Sequence, residues 1–176
     1  MIPGNDEYMR VLTSYSGKDK KVKMMCLGHV LLEEHTPLGM GNHALILTEP
    51  NKPLMEKAKK LLEEIGFTGF SNFDIKYDSR DGKYKFFELN VRQGRSNFYV
   101  TNSGFNIAKY LVEDYIENKD IPFEIAQDEY LWMVVPKYVA FKYVKDAGTK
   151  KKMRRLIKEK KMVNPLFMRK DLGIRR

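Results

Sequence analysis

Two hydrophobic rhythms alternate along the chain. Residues 9–15 and 22–28 are strand-like runs joined by "SGKDKK", a turn composition, and they predict a β-hairpin. Residues 30–34 either continue the second strand or bend away from it. "HTPLGMGNH" (35–43) is a proline- and glycine-rich loop, and "ALILTE" (44–49) is a short strand or buried loop edge. The period then changes. "PNKPLMEKAKKLLEEIG" places Leu54, Ala58, Leu61, Leu62 and Ile65 on one helical face. Asn51 suits the cap, Pro53 the first turn, and Gly66 the position just past the end. "SNFDIKYD" and "KYKFFELNVR" return to strand spacing. A second helix is predicted over residues 105–118, started near Asn102 or Ser103, with Ile107, Leu111 and Tyr115 as its buried stripe. "LWMVVPKYVAFKYV" (131–144) reads as a strand that Pro136 confines to an edge. From about Gly148 a basic helix of about three turns precedes an irregular end. The pattern as a whole predicts an α+β fold, a mainly antiparallel sheet with flanking helices.

The link between "SNFDIKYD" and "KYKFFELNVR" is "SRDG". A three-residue loop, Arg80-Asp81-Gly82, puts glycine at the left-handed bulge position. In that register Phe73 faces Leu89 and Ile75 faces Phe87, both apolar pairs. Asp74 then faces Glu88 on the other side of the sheet, and Asn72 faces Asn90. A two-residue loop would set Asp74 against Leu89, because a slip of one residue swaps the faces. Two carboxylates directly opposite each other, with Cβ atoms about 4.5–5.5 Å apart, repel. The chemistry fits two readings. Asp74, Glu88 and Asn90 are hard oxygen ligands of the kind Mg²⁺ takes beside phosphates, and Arg92, next on the same face, suits bidentate binding of a phosphate or carboxylate. Alternatively the face is merely solvated, with Lys76 and Arg80 neutralising the acids.

Charge sharpens the picture in one region. The net charge is +9. Residues 1–136 hold 17 Lys/Arg and 20 Asp/Glu, whereas residues 137–176 hold 15 and 3. A basic block of this kind suits nucleic acid, anionic lipid or phosphate partners, or a solvated helical tail. The chain has no RRM, KH or helix-turn-helix signature. It also has no apolar run long enough to span a bilayer and no basic-then-apolar start of a secretory signal. The single cysteine, Cys26, excludes an internal disulfide framework and fits a reducing, cytoplasmic setting. His29 sits in an apolar strand-like run and reads as structural. "GMG" lacks the strand and helix of a dinucleotide fingerprint.

"GFTGFSNFDI" followed by "YKFFELNVRQGRS" resembles the C-terminal half of the ATP-grasp fold, in which an acidic strand residue is followed by E-x-N on the next strand, often with an arginine after it. "IPGNDEYMRVLTSY" and "LGHVLLEEHTPLGMGNHALILTE" extend the resemblance toward the carboxylate–amine ligase branch related to carbamoyl-phosphate synthetase and D-aspartate ligase. The resemblance covers residues 1–118, a C-terminal catalytic subdomain. It leaves 119–176 as an edge strand and basic helical tail packed on the same domain. It implies Asp74, Glu88 and Asn90 as ligands of Mg²⁺, with Mn²⁺ as an alternative, bridging the phosphates of ATP. It implies Arg92 as the catalytic residue stabilising an acyl-phosphate or the transferring phosphoryl group. Phe87 would lie near the adenine floor, Asn42 or His43 would reach a phosphate, and Arg95, Ser96 and Asn97 would lie along the acceptor substrate.

The partners implied are ATP, a small carboxylate, an amine and the N-terminal ATP-grasp half, against which the basic tail is expected to pack. Neither nucleic acid nor a membrane is expected on this reading, and these residues alone are expected to be inactive. The competing expectation is a non-catalytic basic module binding nucleic acid or an anionic surface, marked by affinity that falls steeply with salt.

Overall fold

A computed structural model describes residues 1–167. The first hairpin forms as its pattern predicts, with β1 (Met9–Ser16) antiparallel to β2 (Val22–Glu33). The second strand does continue, through Glu33. Next come β3 (His43–Thr48), α1 (Lys52–Glu64), β4 (Gly69–Asp78) and β5 (Lys83–Asn90). The short helices α2 (Phe98–Asn102) and α3 (Ile107–Leu111) follow, and then β6 (Glu124–Ile125) and β7 (Leu131–Met133). The described chain ends with α4 (Lys137–Tyr143), α5 (Ala147–Lys158) and β8 (Met162–Val163). The strands form one sheet in the order β5-β4-β1-β2-β3-β7-β8, with β6 paired to β2. Pairing is antiparallel except for β2–β6 and β7–β8. The fold is thus α+β, a mostly antiparallel sheet with flanking helices.

Both faces of the central strands are covered, which explains the near-continuous apolar run of β2. One face packs Leu12, Met25, Leu27 and Phe73 under α1. Further along the same face Leu31, Leu45 and Leu47 pack under α4 and α5. The opposite face packs Val11, Met24, Cys26 and Ile46 under Tyr99, Val100 and Tyr110 of α2 and α3. Cys26 is fully buried, and burial pushes its thiol up to about 12, so it serves as a small core residue.

Three sequence expectations change. In α1 the Asn51 side chain accepts from Leu54 N–H, as its position suggests, but the buried face is Leu54, Met55, Ala58 and Leu62. Leu61 and Ile65 are exposed. The second helix is capped by Asn106, whose side chain accepts from Lys109 N–H, rather than by Asn102 or Ser103. It passes into a wider π-type turn at Val112–Ile116. The buried stripe is Ile107, Tyr110 and Asp114, an i, i+3, i+7 spacing, and the Asp114 carboxylate accepts from Tyr15 O–H at 2.7 Å, whereas Leu111 and Tyr115 are exposed. Finally, residues 131–144 are not one edge strand. Only Leu131–Met133 pairs, and β7 is internal, between β3 and β8. Pro136 ends the extended segment and opens α4 instead. The basic helix appears as α5, capped by Asp146. The irregular end expected after it falls partly from residue 168 onward, outside the described residues.

Candidate phosphate and metal site

β4 and β5 bring Asp74 opposite Glu88 and Asn72 opposite Asn90. The route to that register differs from the sequence expectation. The loop has four residues, because Asp78 already pairs with Lys83, and Gly82 adopts φ +67° within it. One residue of offset is then cancelled by a bulge between Asp74 and Ile75, so Ile75 pairs with Phe86, not Phe87. Phe86 packs edge-on against Phe73, with ring centres 5.5 Å apart.

Neither Lys76 nor Arg80 neutralises the acidic pair. Arg80 forks onto Asp78, with Nε 2.9 Å from Oδ1 and Nη2 2.7 Å from Oδ2. Lys76 Nζ donates to the Gly4 carbonyl at 2.8 Å. Among the described residues neither Asp74 nor Glu88 forms a salt bridge. Burial, then the neighbouring charges of Glu88 and Glu33, push the Asp74 carboxyl up to about 6, and Arg92 only partly offsets them. Glu33 is itself raised, by burial and by Asp6.

The segment after β5 is held from inside the sheet. Thr13 Oγ1 lies 2.8 Å from Asn72 Oδ1 and 3.3 Å from Asn97 Oδ1, and the Gly94 N–H donates to that same Asn97 oxygen at 3.0 Å. Tyr99 O–H lies 2.9 Å from Thr13 Oγ1 and 3.0 Å from the Cys26 carbonyl. This buried latch fixes the turn that carries Arg92, Arg95 and Ser96. His43, at the start of β3, sets Nδ1 3.2 Å from Ser96 Oγ. Burial lowers its imidazole to about 4, leaving it neutral at pH 7, and its 3.9 Å separation from Glu33 is too long for a hydrogen bond.

These groups converge on a cavity of about 670 Å³. Asp74, Glu88, Asn90, Arg92, Arg95, Ser96, Asn42 and His43 all line it. Asn97 does not; its oxygen is engaged in the latch. Phe87 does not either, and it is 53% exposed. His29 is structural, with Nε2 2.7 Å from the Glu7 carbonyl and Nδ1 3.1 Å from Glu49. Several lining residues carried no signal of their own. Asn72 was visible only as the partner of Asn90. Glu34 sits beside the loop, and Trp132, Val134 and Leu166 arrive from distant sequence. Among the described residues no group of three or more His, Cys, Asp or Glu side chains is placed to hold a metal ion. The wall offers two carboxylates and an amide, an all-oxygen set suited to a hard cation that takes its remaining ligands from phosphates.

Comparison with known proteins bears on the fold. The chain is 44% identical over 180 residues to D-aspartate ligase from Enterococcus faecium (strain Aus0004), a match covering 99% of this chain and 43% of that enzyme. The chain therefore spans less than half the length of the curated relative it matches. No protein-family profile matches it. N5-carboxyaminoimidazole synthetase from Staphylococcus aureus, complexed with ADP, superimposes with a TM-score of 0.51 at 13% identity, over 70% of this chain and 33% of that one. The biotin carboxylase subunit of pyruvate carboxylase superimposes with a TM-score of 0.50 at 13% identity, over 72% and 29%. The chain has the ATP-grasp fold. Within this ATP-grasp fold, the Asp74–Glu88 pair and the latched turn after it form adjacent walls of one cavity.

Proposed function

We propose that this chain is part of an ATP-dependent carboxylate–amine ligase, and that it contributes the wall holding the phosphates of Mg-ATP. The observation that carries the site is the facing pair of Asp74 and Glu88, for which the fold supplies no salt bridge among the described residues. The 44% identity to D-aspartate ligase supports the ligase reading. Asp74, Glu88 and Asn90 would hold Mg²⁺, or Mn²⁺ in its place. The bound ion would neutralise phosphate charge and orient the triphosphate.

Arg92 would receive the transferring phosphoryl group by a bidentate contact. A substrate carboxylate oxygen attacks the terminal phosphorus, ADP leaves, and an acyl-phosphate results. The amine then attacks the acyl carbon, loses a proton and displaces phosphate. Arg95 and Ser96 would line the path of the acceptor, with neutral His43 holding the Ser96 hydroxyl. The rest of the phosphate clamp would come from polypeptide beyond these residues, since phosphoryl transfer depends on positioning from both sides. Such an enzyme would work in the cytoplasm, where ATP is made.

The test is Glu88→Gln in the intact ligase. Turnover should fall at least about 100-fold while the unfolding temperature is unchanged. Near-normal turnover would remove Glu88 from the site.

A further inference from the structure

The sheet face opposite the cavity carries α4 and α5, and their outward surface takes no part in the cavity. Residues 137–161 contain eleven lysines and arginines against two acids, Asp146 and Glu159. Three of the eleven are tied inward: Lys152 to Glu49 and Glu129, Arg155 to Glu129, and Lys161 to Asp128. The other eight, seven lysines and Arg154, form no ion pair among the described residues. Asp146 is occupied in capping α5. The apolar sides of both helices are already satisfied, because Ala140, Val144, Met153 and Leu156 are buried against the sheet. What faces outward is basic and aromatic. Tyr138 is 74% exposed and Tyr143 52%. Arg154 lies over the Phe141 ring at 5.3 Å, which joins the surfaces of the two helices.

We propose that the α4–α5 face docks on an anionic lipid surface. Unpaired like charges on two adjacent helices repel one another, and a diffuse negative surface relieves them all at once. Seven of the eight are lysines, point charges without the planar fork that arginine brings to specific phosphate or base recognition. Tyrosine has an apolar ring and a polar tip, the combination that settles at the headgroup level. Each basic residue near such a surface strengthens binding about fivefold. The contact is peripheral, since no helix among the described residues is long and apolar enough to cross a membrane. Because the cavity lies on the other face of the sheet, docking leaves it open. The inference needs no part of the cavity, and it replaces the expectation that this basic surface packs on an N-terminal half.

The test is co-sedimentation of this chain with phosphatidylcholine vesicles, with and without phosphatidylglycerol, at low and at physiological salt. It is repeated for a surface variant, Lys142→Gln/Lys151→Gln/Arg154→Gln/Lys158→Gln. Binding should require the anionic lipid, weaken with salt, and fall at least about 100-fold in the variant. Tyr138→Ser/Tyr143→Ser should weaken it by a smaller factor. Absence of binding, equal binding to neutral vesicles, or undiminished binding by the lysine variant would overturn the proposal. So would preference for a DNA duplex over anionic vesicles at the same salt.

Discussion

Glu49, just past the end of β3, and Asp74, in β4, are both partly buried, and their surroundings are opposite. Around Glu49 the fold gathers His29 Nδ1 at 3.1 Å, Lys152 Nζ at 3.5 Å and Arg10 Nη2 at 3.8 Å. Burial pushes that carboxyl up, but the hydrogen bond and charge of His29, with Arg10 and Lys152, outweigh it and bring it down to about 2. Around Asp74 the nearest charges include Glu88 and Glu33, and the carboxyl rises to about 6. One carboxylate is completed by the chain and joins α5 to the sheet. The other is left incomplete in a cavity. Natural proteins keep such unbalanced charge mainly where a ligand completes it.

Removing the completed carboxylate should have the largest effect on stability. Glu49→Ala leaves Arg10, His29 and Lys152 without their shared partner and should cost about 2–3 kcal/mol, measured by denaturant unfolding. The sign of the pH dependence follows from the lowered pKa. The Glu49 contribution is present above the unfolded value near 4.5 and is lost as pH falls toward 2. A Glu49→Ala chain with unchanged stability would erase the contrast.

A smaller effect separates positioning from packing beside the incomplete pair. Thr13→Val keeps the shape but removes the hydroxyl between Asn72 and Asn97, and should cost about 1–2 kcal/mol. The Gly94 amide should then exchange its hydrogen at least about tenfold faster, while Thr13→Ser should restore protection. Equal exchange in all three chains would mean that the latch does not hold the turn.

How much of this was legible depended on residue chemistry more than on pattern. The acidic pair emerged from the sequence because the register that pairs apolar Phe73 with Leu89 also sets Asp74 opposite Glu88. The bulge was hidden because Phe86 and Phe87 are the same residue type, and either could face Ile75. The stripe of the second helix was misread because a buried acid, Asp114, takes a core position by bonding Tyr15, while the apolar Leu111 and Tyr115 face outward. Pro136 was ambiguous in principle, since a proline both limits a strand and opens a helix. The latch depends on Thr13, Asn72, Asn97 and Tyr99 meeting across as many as 86 positions of sequence, and no local motif encodes that.

The most direct test of the contrast is the unfolding free energy of wild type and Asp74→Asn, with and without Mg²⁺. A raised carboxyl binds its proton more tightly in the folded state. Wild-type stability should therefore fall as pH rises from about 4 to 6 and remain lowered above that range. Without metal at pH 7, Asp74→Asn should be more stable by about 1 kcal/mol, a value reduced from the full shift because the group is partly screened by solvent, and the slope between pH 4 and 6 should flatten. Mg²⁺ should stabilise the wild type and leave the variant unchanged. An Asp74→Asn chain that is less stable than wild type, together with no response to Mg²⁺ in either chain, would contradict the account, because Asp74 would then be a completed structural carboxylate like Glu49.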